Sequence, residues 1–196
     1  IRLHGITTTR PETREKVVDV LRLAGMTPAE RFLGRYPHEL SGGQRQRVLL
    51  ALALAGELGG ILIGLILGVL TLSGRRSVRA PARIYINFFR GTPLIWQLVA
   101  GYFLLLFGFG IRLSAFVVAI IVFALNTGAY AAEVFRAGIQ SIERGQIEAA
   151  RSLGMSYVQA MRYAIVPQAV RRVIPPLMNE FVILIKDTAL VIALGL

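Results

Sequence analysis

Long apolar runs dominate the chain after Val48. Val48 to Gly74 holds one charged residue, Glu57, and Thr92 to Ile111 and Leu113 to Ala132 are 20-residue runs with none. Val173 to Leu196 is broken only by Glu180, Lys186 and Asp187. A helix that crosses a bilayer needs roughly 20 mostly apolar residues, so this pattern predicts about four transmembrane helices. Ile1 to Arg47 reads differently, with nine Lys/Arg and five Asp/Glu at the spacing of short soluble helices. Thr9-x-x-Glu12 is a capping box with Pro11 in its first turn, followed by an apolar stripe of Val17, Val20, Leu21 and Ala24 that ends at Gly25. Thr27-Pro28-Ala29-Glu30 starts a second short helix that stops near Gly34. Ser41-Gly42-Gly43-Gln44 is a third helix start. The fold class predicted is an all-α membrane protein preceded by a short soluble helical segment.

Composition strengthens this reading. Only 17% of the 196 residues are charged and 55% are hydrophobic, against about 25% charged in ordinary soluble domains. A small soluble protein so composed would expose large apolar patches and aggregate. The 22 Lys+Arg against 11 Asp+Glu leave a net charge of +11, but no base-reading motif accompanies it, so nucleic acid is excluded as a partner. The basic residues instead set topology. Arg75, Arg76, Arg79, Arg83 and Arg90 separate the first and second spans. Arg136, Arg144, Arg151, Arg162, Arg171 and Arg172 separate the third and fourth, and Arg112 stands alone between the second and third. Both basic segments are expected in the cytoplasm. That places the start of the first span outside, together with 47 soluble-looking residues, so the two halves read as not selected together. There is no cysteine, which excludes disulfides and thiolate metal sites. The chain starts with Ile1 and no cleavable leader, and is expected to be an internal piece of a longer frame.

Tyr36-Pro37-His38-Glu39-Leu40-Ser41-Gly42-Gly43-Gln44-Arg45-Gln46-Arg47-Val48 resembles the signature segment of ABC transporter ATPases, in the oligopeptide and dipeptide branch. A serine cap and two glycines let backbone N–H groups at a helix start approach a phosphate. The resemblance implies that Ser41, Gly42, Gly43 and Gln44 derive from a nucleotide-facing element, inactive here. A P-loop would need Gly-x-x-x-x-Gly-Lys-Ser/Thr, yet the only lysines, Lys16 and Lys186, follow Glu15 and Ile185. Neither Asp19 nor Asp187 follows the hydrophobic strand that a metal-binding aspartate requires.

Three separated stretches resemble polar amino-acid ABC permeases of the histidine and glutamine type: Phe88-Phe89-Arg90-Gly91-Thr92-Pro93-Leu94, Leu125-Asn126-Thr127-Gly128-Ala129-Tyr130 through Arg136, and Gly145-Gln146-Ile147-Glu148-Ala149-Ala150-Arg151-Ser152-Leu153-Gly154. Lys186-Asp187-Thr188 extends the match. The likeness covers about residues 53–196, so the domains are expected to be 1–50 as a partial ATPase segment and 51–196 as the permease, without its last span. It implies that Glu148, Ala149, Ala150, Gly154 and Pro167 form the cytoplasmic loop that docks on the ATPase, although Ala164-Ile165-Val166-Pro167 departs from the usual Ile-x-Leu-Pro ending. Locally, Ile147 to Leu153 predicts a short helix, Gly154 a left-handed turn, and Ser156-x-x-Gln159 a second helix that Pro167 terminates. Polar residues within spans are candidates for a substrate path: Asn126, Thr127, Glu180, Lys186, Asp187 and Thr188. Glu180 and Asp187, seven apart, share a helix face. Gly60, Gly64 and Gly68 recur every four residues and predict close helix contact, and Glu57 reads as a remnant of the junction.

The implied function is the membrane subunit of an ATP-driven importer of polar amino acids in the bacterial plasma membrane. Its implied partners are an ABC ATPase dimer, a second permease subunit, an extracytoplasmic solute-binding protein and the lipid bilayer. It would bind no cofactor alone, ATP and Mg acting through the partner ATPase. A non-functional fusion of two transporter gene fragments, or a truncated ATPase subunit with a membrane tail, stands as the alternative.

Overall fold

In the computed structural model, residues 15, 18, 19, 21–23, 25–33, 39, 41–111, 113 and 115–190 are described. The predicted capping box at Thr9, the helix stop at Gly34 and the Tyr36-Pro37-His38 lead-in lie outside them. Every regular element among the described residues is helical. A 3₁₀ turn, Ala29–Phe32, sits on a small cluster of Val18, Leu21, Met26 and Ala29 that packs against Val48. Gly25 takes a left-handed φ of 71° and its carbonyl accepts from Arg47 Nη1 at 2.9 Å, so the N-terminal segment is tied to the start of the first long helix.

That helix, α1 (Gly42–Thr71), begins with a complete capping box: Ser41 Oγ accepts from the Gln44 N–H, and Gln44 Oε1 accepts from the Ser41 N–H. Its 30 residues make it about 45 Å long at 1.5 Å per residue, longer than a hydrocarbon core of roughly 30 Å. The amphipathic helix α2 (Arg76–Gly91) follows, then α3 (Leu94–Phe103), which ends in a π turn over Leu104–Gly108. The long apolar helix α4 is Ala115–Gln140. Two short helices, α5 (Arg144–Ser152) and α6 (Tyr157–Ala160), lead through a second π turn, Met161–Ile165, into α7 (Val166–Asp187).

The glycine stripe explains how the spans assemble. A Cβ placed on Gly56, Gly60, Gly64 or Gly68 would lie 2.5 to 3.0 Å from the Cβ of Phe123, Thr127, Ala131 or Phe135 respectively. Both series advance by four, so α1 and α4 run parallel with their backbones almost touching, as small residues permit inside a membrane. The stripe therefore packs within this chain. Parallel neighbours oblige the chain between them to return across the bilayer. α2 and α3 together do this: Gly101 faces Val118 and Val122 while Gln97 meets Asn126, an antiparallel register of α3 against α4. α7 is antiparallel as well, with Val173 against Gly138 at one end and Leu184 against Gly56 and Phe123 at the other.

Two of the four predicted spans, α1 and α4, are long and apolar enough to cross a membrane by themselves. The predicted second span, 92–111, is instead a broken unit: α2 and the Leu94–Gly108 stretch meet at 107°. Pro93 and the β-region backbone of Thr92 stop one helix and start the other. The fourth starts at Val166, seven residues before its apolar run, and Arg171, Arg172, Glu180, Lys186 and Asp187 interrupt its apolar surface. Parallel α1 and α4 also put both arginine-rich segments at one end of the bundle, as the charge pattern predicted.

Candidate functional site

At the α2–α3 break, α4 and α7 enclose a cleft of about 510 Å³. Its walls include Arg90, Thr92 and Pro93 from the break, Asn126, Thr127 and Tyr130 from α4, and Glu180, Leu184 and Asp187 from α7. The seven-residue spacing of Glu180 and Asp187 does place both on one wall. Arg90 stacks over the Tyr130 ring, 5.2 Å from its centroid, and lines the same cleft as the two acids. One guanidinium and two carboxylates lining the cleft provide a partner for a carboxylate and for an ammonium group.

Buried amides hold the break in shape. Gln97, 5% exposed, donates from Nε2 to Phe89 O at 2.9 Å, Thr92 O at 3.1 Å and Thr92 Oγ1 at 2.7 Å. Asn126 Nδ2 donates to Gln97 Oε1 at 3.0 Å and Tyr85 Oη to Leu125 O at 2.8 Å. The carbonyls freed where α2 stops are satisfied by these side chains, as backbone inside a membrane requires. Asn126 thus braces the break and lines the cleft, while Thr127 packs on Gly60 and lines it too. Lys186 is exposed outside the cleft walls, and Thr188, fully buried, donates to Ile185 O at 2.6 Å. Glu57 is 6% exposed in α1, and neither carboxylate oxygen has a hydrogen-bond partner.

At the basic end of the bundle the chain forms an elbow. Ile142, Ile165 and Ala169 make a small core that Ile139, Ile147, Met161 and Ala164 extend. α5 crosses it, Gly154 turns the chain at φ 84°, and a capping box of Ser156 and Gln159 starts α6. Ala150 packs inward, while Glu148, Ala149, Gly154 and Pro167 are exposed beside Leu153, Tyr157 and Val158, which are 80%, 60% and 71% exposed. Pro167 does not end the second helix as predicted. It lies in the first turn of α7, and the π turn before it moves the Val166 N–H to Met161 O, so the helical path continues through a proline with no N–H to offer.

Ser41, Gly42, Gly43 and Gln44 form the start of α1, and no neighbour lies within 4 Å of a Cβ placed on either glycine. Among the described residues no cluster of three or more His, Cys, Asp or Glu could hold a metal ion. Sequence reasoning missed Arg90, Tyr130 and Gln97. Arg90 was counted among the loop charges, and Gln97 was one amide inside a run read only for length.

A parallel pair of spans, a broken return helix and a cytoplasmic helical elbow are the parts of a transport permease core. Residues 60–196 match the family described as "Binding-protein-dependent transport system inner membrane component". The chain is 38% identical over 166 residues to a putative glutamine transport system permease protein of Rickettsia felis, covering 85% of this chain and 76% of the relative. A probable amino-acid ABC transporter permease protein of Bacillus subtilis is 44% identical over 144 residues, 72% of this chain and 62% of its own length. A crystal structure of an amino acid ABC transporter with histidines superposes with a TM-score of 0.71 at 41% identity, covering 76% of this chain and 69% of that one. The chain belongs to this family of ABC permeases. It is a transport subunit of the bacterial inner membrane and not an enzyme; its family works with separate ATPase subunits and binding proteins.

Proposed function

We propose that the chain is the membrane-spanning permease of an ATP-driven importer of polar amino acids, and that its 142–169 elbow receives the movement of a partner ATPase dimer. The observation that carries this is the elbow itself. Glu148 and Ala149 stand exposed beside Leu153, Tyr157 and Val158 on a helix pair stiffened from below by Ile142 and Ile165. A rigid surface that leaves these three large apolar side chains in water is built for a partner, and the unbroken run from α6 into α7 joins it to the cleft wall that bears Glu180 and Asp187. The substrate path runs through Arg90, Asn126, Thr127, Glu180 and Asp187, with Lys186 and Thr188 outside it. The amino-acid class rests on the names of the Rickettsia and Bacillus relatives and on the acid–base content of the cleft. The chain binds no nucleotide alone; ATP and Mg belong to the ATPase, and a second permease copy and a solute-binding protein complete the assembly.

The likeness of residues 1–50 to an ATPase signature segment remains part of this reading, as descent without activity. The relatives lend no support to a non-functional fusion or to a truncated ATPase with a membrane tail. Proteoliposomes holding the chain with the ATPase and solute-binding subunits of its own transport system provide the test. Glu148→Arg should cut ATP-driven uptake of labelled glutamine at least tenfold while membrane insertion is unchanged. Uptake equal to the parent's would remove the coupling claim.

A further inference from the structure

Helix α2 has three faces. Taking about 100° per residue, Val78, Ala82, Tyr85, Ile86 and Phe89 point one way, and Ala82 and Ile86 among them are buried. Arg76, Arg79, Arg83 and Arg90 fall within an arc of about 60°. Beyond them Ile84 and Phe88 are 70% and 49% exposed, and Phe88 meets the 51%-exposed Trp96 edge-on at 6.4 Å. No acidic residue occurs on α2. The side chains of Arg75, Arg76, Arg79 and Arg83 form no ion pair or hydrogen bond among the described residues. Such a helix presents arginines and a greasy edge side by side, with nothing among the described residues covering either.

Its position supplies the occupant. α2 starts five residues after α1 ends at Thr71, at the arginine-rich end of the bundle, and its Tyr85 and Phe89 reach Leu125 and Asn126 in the middle of α4, so it descends from that end into the bundle. Its first turns, with Arg76, Arg79 and Arg83, therefore lie at the headgroup end, and Ile84, Phe88 and Trp96 lie on the side of the hydrocarbon. The geometry points to a binding site for anionic phospholipid of the cytoplasmic leaflet: phosphate headgroups on Arg76, Arg79 and Arg83, acyl chains along Ile84, Phe88 and Trp96. Uncancelled positive charge beside an apolar face at headgroup depth is complementary to that surface and to no neutral one. The site anchors α2 beside the cleft, and through the Gln97 bonds to Phe89 and Thr92 it anchors the break.

Trp96 is the single tryptophan, so its fluorescence reports this spot alone. The full chain is reconstituted in phosphatidylcholine bilayers containing a fixed fraction of brominated phosphatidylglycerol or brominated phosphatidylcholine, and quenching of Trp96 is compared. Preference for the brominated anionic lipid should be about fivefold and should shrink as salt rises. The triple variant Arg76→Gln, Arg79→Gln, Arg83→Gln should abolish it; the three side chains have no internal partner and glutamine retains helix propensity. Equal quenching by both lipids in the parent chain would overturn the proposal and assign the stripe to a protein partner or to water. So would an undiminished preference in the variant. If the variant does not insert, the parent's comparison of the two lipids decides the matter alone.

Discussion

Gly64→Ala adds one methyl group where α1 and α4 leave no room for it. The new Cβ would stand 2.5 Å from Ala131 Cβ, 3.0 Å from the Ala132 nitrogen and 3.1 Å from the Ala131 carbonyl carbon. Ordinary carbon contacts lie at about 3.5–4.0 Å. All three obstacles are backbone or Cβ atoms, which no rotamer change can move, so the helices must part by about 1 Å. A gap of that size forfeits a quarter to a half of each dispersion contact along the seam, including Gly60 on Thr127 and Gly68 on Phe135. Overpacking costs typically about 1–3 kcal/mol; the upper end applies here, offset by about 1 kcal/mol that alanine gains over glycine in a helix. The expected net loss is about 2 kcal/mol. Unfolding by SDS in mixed micelles, followed by far-UV circular dichroism, would measure it. Gly145→Ala, with nothing within 4 Å, should instead be neutral or slightly stabilising, and Ala131→Gly should restore at least half the loss in the Gly64→Ala background. A Gly64→Ala chain as stable as the parent would refute the parallel seam.

Other consequences follow from single side chains. Gln97→Leu leaves the Thr92 carbonyl without its side-chain donor and Asn126 Nδ2 and the Phe89 carbonyl with only their 3.5 Å contact to each other, and should cost about 2 kcal/mol in the same assay with a shift in Trp96 emission; an unchanged midpoint and spectrum would remove Gln97 from the brace. Glu57→Leu replaces a buried, unpaired carboxylate by an apolar side chain and should stabilise the chain by about 2 kcal/mol. Destabilisation would mean that Glu57 has a partner in the assembled transporter. Gly154→Ala, at a φ of 84°, should cost about 1 kcal/mol and lower uptake by misaiming α5 against α6; unaltered stability would contradict the left-handed turn.

The elements that could be read from the sequence are those with one environment. α1 beyond Val48 and α4 up to Ala132 face lipid or close-packed helix, so scarcity of charge marks them, and the four-residue glycine repeat marks their contact. α2 escaped notice because its arginines drew attention to topology, although Val78, Ala82, Ile86 and Phe89 recur at helical spacing beneath them. Pro167 reads as a stop in isolation and is absorbed by a π turn, a choice made by the packing of Ile165 and Ala169 on Ile142. In the site, the spacing of Glu180 and Asp187 was sufficient to place them on one wall. Arg90 and Gln97 were not legible, since their roles depend on a 107° bend that brings residue 97 back to residue 126. Ser41-Gly42-Gly43-Gln44 reads as a helix start, and the reciprocal Ser41–Gln44 capping box makes it one.

The account depends on α1 and α4 crossing the membrane in the same direction, so that the α2 arginines and the coupling elbow share the cytoplasmic side. The chain has no cysteine, so single replacements can be labelled without background. Gly74→Cys and Gly145→Cys lie at exposed positions with nothing within 4 Å, and Phe109→Cys lies at the other end of α3. In inside-out vesicles a membrane-impermeant maleimide should label residues 74 and 145 and spare residue 109, and in right-side-out cells the pattern should reverse. Labelling of 74 and 145 from opposite sides would contradict the parallel spans and, with them, the permease reading of this fold.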